Sequence, residues 1–269
     1  MKTVRLLLMA LAVLAFASCS RQMHTYVPNP ANVPLLKEKN EFKANLSLTN
    51  WQAAYAVSDN IAVMVNGQYV WRNLLYDSDS DGDWLLDPHV RGGLIEGGVG
   101  FFKAVDSRQR AIFDVYAGYG NGSFKTLDNE FSADSIRGNT NYQLRTKFHK
   151  FFIQPTFGFS HKVVEAAFST RISVVRFYDQ TMGSKVFEND DVRRENFLKL
   201  GDKAMPFFEP TFTVRAGYRY IKWHGQLLIS VPINDETYSG YQVGDFFQPV
   251  SFSTGISLNF GQWVQDAKK

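Results

Sequence analysis

The sequence predicts an all-β protein: a ten-stranded antiparallel up-and-down transmembrane β-barrel, with eight strands as the nearest alternative count. Three observations predict it. Segments of about 9–14 residues alternate large apolar side chains with small or polar ones, which gives each strand two unlike faces. The connections between them alternate short and long. Aromatic residues gather toward both ends of the strands. In a membrane barrel the greasy face meets lipid and the polar face lines the lumen, with short turns at one end, long loops at the other and aromatic girdles at both.

The alternation is read in chain order. Phe42, Ala44, Leu46 and Leu48 oppose Lys43, Asn45 and Ser47; after Thr49-Asn50, Trp51, Ala53, Tyr55 and Val57 continue it. Ile61 to Trp71 follows the turn at Asp59-Asn60, and a long polar loop covers Arg72 to Arg91. Ile95 to Phe101 and Ala111 to Tyr119 flank the turn near Arg108, and a second loop covers Asn121 to Arg145. Phe151 to Phe159 and Val164 to Val174 flank His161-Lys162. A third loop runs from Asp179 to Met205; within it Asp190 to Gly201 predicts a short helix with Val192, Phe197, Leu198 and Leu200 on one side. Phe208 to Tyr220 and Trp223 to Val231 flank Lys222, and the loop Asn234 to Phe247 precedes the last strand, Val250 to Phe260. Only the first hairpin is short where a long loop is expected. The closing strand is expected to pair with Glu41 to Leu48. Tyr69, Trp71, Tyr119, Phe151, Phe177, Phe207 and Phe247 are expected in the outer girdle, and Phe101, Phe159, Tyr218, Tyr220, Trp223 and Phe260 in the inner one.

Composition sets bounds. The 269 residues are 45% hydrophobic and 20% charged, which fits a barrel whose strands are half apolar. The net charge of +3 gives no argument for nucleic acid. Residues 1–19 read as a secretory signal: Lys2 and Arg5 precede the apolar run Leu6 to Phe16. Ala15-Phe16-Ala17 fits ordinary signal peptidase, and Phe16 to Cys19 resembles a lipobox with Phe in place of the usual Leu. Cys19 is the only cysteine, so it forms no internal disulfide, and it is the expected lipidation site. Residues 20–40, with Pro28, Pro30 and Pro34, read as an extended periplasmic tether. The barrel is expected over 41–264 and a tail over 265–269.

With these features the chain resembles the outer-membrane β-barrel proteins of Gram-negative bacteria. Its tether-plus-barrel layout and the run WQAAYAVSDNIAVMVNG, Trp51 to Gly67, are similar to the lipoprotein-type small barrels of the Bacteroidota. Such barrels commonly end on an aromatic residue; here Phe260 holds that place and GQWVQDAKK follows. The resemblance implies the cell outer membrane, both termini periplasmic, outer-membrane lipid around the barrel and a protein partner at the outer loops. It carries over no functional residues.

One local motif offers chemistry. Asp77, Asp79 and Asp81, followed by Gly82, match the start of an EF-hand-type calcium loop, with Asp83 and Asp87 as further ligands. Pro88 stands where the closing Glu belongs, so the alternative is a solvated acidic turn. No other cofactor is expected. Charges within the strands fall on the lumen face: Glu96, Asp114, Glu165, Arg171, Arg215 and Arg219. Their mixed sign suggests a plugged interior, since buried charges need partners. Ten-stranded omptin-like proteases resemble this strand count, but His89 beside Asp87 is a poor dyad, and His149, His161 and His224 read as interfacial or turn residues. The expectation is a non-enzymatic barrel with a structural or loop-mediated role. A narrow pore and a surface hydrolase are the alternatives.

Overall fold

The computed structural model describes residues 24–71, 90–127, 140–218, 220–233, 237–238 and 241–260. Among them lie the barrel strands β1 (Phe42–Ser47), β2 (Asn50–Ala56), β3 (Ile61–Val70), β4 (Arg91–Ala104), β5 (Ala111–Leu127), β6 (Gln143–Ser160), β7 (Val164–Met182), β8 (Met205–Tyr218) and β9 (Ile221–Ile229). The two-residue strand β10 (Val231–Pro232) continues β9 along β8. A small hairpin, β11 (Thr237–Tyr238) and β12 (Tyr241–Gln242), precedes the last strand, β13 (Val250–Asn259). From β1 to β9 each strand pairs antiparallel with the next, and β13 joins β9 to β1. The sheet therefore closes into a ten-stranded up-and-down barrel, with β13 as the tenth staff.

Closure removes the free edges that an open sheet would expose. The expected seam is present: Ala44 faces Leu258 and Leu46 faces Ile256 across β1 and β13. Alternation sets the faces. On β13, Phe252 and Ile256 are exposed while Ser251, Ser253 and Ser257 are buried. The same pattern turns Val63 and Val65, Ile153 and Phe157, Phe168 and Ile172, and Phe212 outward. An apolar band thus encircles a polar interior.

The wall is lopsided. β1 and β2 have six and seven residues, whereas β6 and β7 have 18 and 19. At roughly 3.3 Å per residue and a tilt near 40°, each residue adds about 2.5 Å of height. The first hairpin is then about 15 Å tall and β7 about 45 Å, well beyond the ~25 Å of a barrel's apolar band.

The tall strands correct the expected loop boundaries. β5 continues past Tyr119 to Leu127, β6 begins at Gln143, and β7 reaches Met182. Above the apolar band the alternation persists but its polarity inverts. Asn121, Ser123 and Lys125 face out, while Phe124, Leu144, Phe148, Val175 and Phe177 are buried inside. These join Tyr26, Phe207, Phe246 and Phe247 in an apolar core at the loop end. Phe177, Phe207 and Phe247 therefore belong to that core and not to the outer girdle, which keeps Tyr69, Trp71, Tyr119 and Phe151 at exposed positions. The loop helix α1 spans Asp191–Lys199 and is capped by Asp190, which accepts from the Arg193 N–H. It buries Phe197, and Leu200 just beyond it, into the same core, but leaves Leu198 50% exposed, unlike the expected single apolar side.

Candidate functional site: a backbone clamp inside the barrel

Of the segment expected as an extended periplasmic tether, residues 24–36 lie inside the barrel. Every residue from His24 to Leu36 is buried. The chain enters at the loop end, where Tyr26 pairs in parallel with Phe247 and Thr25 donates to the Phe246 carbonyl. It leaves at the turn end, where the Lys37 N–H donates to Glu41 at 2.7 Å. Asn259 and the end of β13 also lie at the turn end, paired with Lys43. The described chain therefore begins, at His24, at the opposite end from its last strand's finish.

The barrel holds this segment by its carbonyls. Pro28, Pro30 and Pro34 have no N–H, so the segment is rich in acceptors and poor in donors. The wall supplies matching donors. Thr146 donates to Thr25, the Gln248 N–H to Tyr26, and Ser251 to Pro28. Arg171 donates to the Asn29 carbonyl at 3.2 Å, Gln52 to Pro30 at 3.1 Å, Gln226 to Ala31 at 2.8 Å and Gln154 to Asn32 at 2.7 Å. Arg215 donates to Val33, and Lys43 to Leu35 at 2.8 Å. Nine of the eleven carbonyls from Thr25 to Leu35 are thus satisfied by β-strand side chains or the approach to β13. Buried backbone groups need such partners, and here the side-chain donors come from β1, β2, β6, β7, β8, β9 and β13. Between the polar contacts, Val33 and Leu35 pack with Ile112 and Ala167, and Leu36 with Phe102 and Phe152.

Two ion networks bracket the segment. Nearer the loop end, Glu96 and Glu209 face Lys150 and Arg171, all four almost or fully buried. Lys150 lies 2.9 Å from Glu209 and 3.3 Å from Glu96, and Arg171 lies 3.3 Å from Glu96. Two acids meet two bases, so the buried charge balances. The Tyr26 hydroxyl donates to Glu209 at 2.7 Å and the Ser173 hydroxyl donates to Glu209 at 2.5 Å, while Asn29 and Asn66 each donate to Glu96 at 3.3 Å. Arg171 also donates to Gln154 at 2.7 Å and lies over the Phe152 ring. The Asn50 amide donates to the Asn29 side chain.

Toward the turn end, Glu165 gathers Arg215 at 3.0 Å, Lys222 at 2.9 Å and Lys43 at 3.9 Å. Lys43 also reaches Glu41 at 3.4 Å. Three bases thus meet two acids; Asp114 is also buried inside, and neither of its oxygens has a hydrogen-bond partner among the described residues. Its neighbour Thr156 donates to Ser169 instead. At the mouth, burial pushes the Lys37 ammonium's pKa below its usual value, and the nearby Lys43 adds to the shift.

Of the expected lumen residues, Glu96, Asp114, Glu165, Arg171 and Arg215 are buried inside, and all but Asp114 divide between these two networks. Arg219, Cys19 and the acidic group Asp77, Asp79, Asp81, Asp83 and Asp87, with His89, lie outside the described residues. His149 faces outward as expected, stacked on Tyr178 at 4.4 Å. His224 is buried, within 3.0 Å of the Ser47 hydroxyl. Lys150, Glu209, Lys43 and Lys222 were not among the expected lumen charges. Parity places each of them: Lys150 shares a face with Gln154, Glu209 with Thr211 and Thr213, Lys43 with Asn45, and Lys222 with His224. Tyr26 and the clamped carbonyls carry no such signal.

The fold and the clamp define an all-β protein with a closed barrel whose interior is occupied by its own chain. No protein-family model matches this chain. No curated protein matches it either.

Proposed function

We propose that this protein is a plugged, lipid-modified β-barrel of the outer membrane, with a structural or loop-mediated interaction role. The observation that carries the reading is the threaded segment from His24 to Leu36, clasped by nine carbonyl contacts. A barrel whose interior is spent on holding its own backbone is suited to scaffolding and ill suited to conduction. The apolar band from Val63 to Phe252 supports lipid as its surroundings.

The threading supports one topology for this proposal. With the long loops outside the cell, the segment emerges at the outer face. Four residues separate Cys19 from His24, which reach at most about 18 Å from Cα to Cα. An acylated Cys19 would then anchor at the outer leaflet, with the barrel delivering it there. An epitope inserted between Arg21 and Met23 tests this. It should be accessible on intact cells; labelling only after permeabilisation would overturn the topology. In planar bilayers the parent protein should show no steady openings, and deletion of 24–36 should open a conducting state. Steady conductance by the parent would favour the narrow pore instead.

A further inference from the structure

The outward face of the barrel carries charge on one side only. At the outward positions of β1, β2, β3, β8, β9 and β13 no described side chain is charged. On β4 to β7, above the apolar band, the outward positions hold Arg91, Lys125, Arg145, Lys147 and Arg176, with Asp179 as the one acid. Lys147 pairs with Asp179 at 2.6 Å. The rest form no ion pair among the described residues.

Their arrangement is a row. Arg91 lies directly opposite Lys125, and Lys125 directly opposite Arg145. Like charges facing each other across strands destabilise a sheet. Three in succession, all exposed, leave a local excess that an anion would relieve. The height of the row selects the anion. Phe101 lies ten positions along β4 from Arg91, so Arg91 stands about 25 Å above the turn-end aromatics, at the top of a barrel's apolar band. The tilt carries Lys125 and Arg145 about 3 and 6 Å higher. Beneath them the ring stack of Tyr119, His149 and Tyr178 marks the polar–apolar boundary on this same side. A charged row that begins at headgroup level and is continuous with a lipid-facing band fits the headgroups of that leaflet.

We infer that the upper outward face of β4 to β7 binds phosphorylated lipid headgroups of the leaflet at the loop end, with Arg91, Lys125 and Arg145 as the contact row. Arginine forks take phosphate oxygens in pairs, and Arg91 and Arg145 flank the lysine. This inference rests on the membrane reading above.

The test uses the full-length protein in mixed micelles with equal amounts of phosphatidic acid and phosphatidylcholine, bound lipid being read by native mass spectrometry. The parent should retain phosphatidic acid selectively. Each lost basic residue is expected to weaken that retention about fivefold, so the variant Arg91→Gln/Lys125→Gln/Arg145→Gln should bind it about a hundredfold more weakly. The control Lys39→Gln/Lys103→Gln/Lys162→Gln removes the same charge at the turn end and should leave retention unchanged. Equal losses in both variants, or no selectivity in the parent, would overturn the inference. So would complete competition by inorganic phosphate, which would make the ligand a free anion. All three proteins should also migrate faster unboiled than boiled on SDS gels and resist carbonate extraction from membranes. If they do and lipid selectivity is absent, the row is refuted and the membrane barrel stands. If they do not, both readings fall.

Discussion

Glu209 is the residue on which the upper ion network turns. It accepts from Lys150 at 2.9 Å, from the Tyr26 hydroxyl at 2.7 Å and from Ser173 at 2.5 Å, all out of contact with water. Glu209→Ala leaves Lys150 and Arg171 to share Glu96, so one buried positive charge loses its counter-charge. Removing one partner of a buried pair costs about 3–5 kcal/mol. The stranded Tyr26 hydroxyl adds a penalty of order 1–3 kcal/mol wherever water does not reach it. Because Tyr26 belongs to the threaded segment, the same change also loosens the clamp. Removing both charges should behave differently. Glu209→Leu with Lys150→Met leaves the balanced pair Glu96 and Arg171, and apolar replacement of a buried pair is often neutral or better. The coupling between the two sites should therefore exceed about 2 kcal/mol. Urea unfolding in liposomes would measure it, read by fluorescence of the outward-facing Trp51 and Trp223. A Glu209→Ala loss below about 1 kcal/mol, or a double variant no more stable than the single, would refute the charge-balance reasoning.

Three further outcomes follow from the packing. Ile256 is 52% exposed in the middle of β13 on the apolar band; Ile256→Arg should cost about 2–4 kcal/mol in liposomes, and unchanged stability there would count against lipid contact. A Cβ on Gly158 would fall 2.5 Å from Leu35 and 2.8 Å from Ala167, so Gly158→Val should destabilise by about 1–3 kcal/mol through overpacking, and should raise protease sensitivity near Leu35 if the segment is pushed from its place. Asp106, in the turn between β4 and β5, accepts from the Arg110 and Ala111 N–H groups at 2.6 and 2.7 Å. Desolvation raises its pKa, but the backbone donors Ala111, Arg110, Arg108 and Asp106 together outweigh this and hold its carboxyl below the usual range. Its contribution is therefore full above the unfolded value, about 3.9, and is lost as pH falls through the lower folded value. Asp106→Asn should flatten the acid limb of the stability curve, and an identical limb in both proteins would show that the turn contributes nothing there.

The barrel was legible in the sequence because lipid-type alternation is local. Val250 to Leu258 reads as out, in, out without reference to any other strand, and the turn at Arg108 or Lys222 announces itself by composition. The misplaced boundaries have a common cause. Above the apolar band the outward face turns polar and the inward face apolar, so Phe124, Leu144 and Phe177 have the parity of lumen residues and the chemistry of lipid-facing ones. A rule that equates apolar with outward stops at Tyr119 and again at Tyr178, where the strands continue. Parity, which is set by the backbone, survives the inversion; polarity, which is set by the surroundings, does not.

The threaded segment was invisible for a different reason. Its three prolines, its lack of periodicity and its short side chains have the composition of a linker, and a linker and an extended ligand are the same object until a wall of donors surrounds one of them. The complementary signal sat in the strands. Gln52, Gln154 and Gln226 with Arg171, Arg215 and Lys43 hold more donors than the acids facing them can accept. Glu96 and Glu165 engage only part of that surplus. Leaving charged and amide N–H groups unpaired in a closed lumen is costly, so the excess favours acceptors that belong to no strand. Backbone carbonyls stripped of competing N–H donors meet that need, and Pro28, Pro30 and Pro34 lie in the stretch of chain just before β1 that can supply them. The donor surplus inside the barrel and the proline-rich stretch before it are two halves of one interaction, and each half is uninterpretable until the other is set against it.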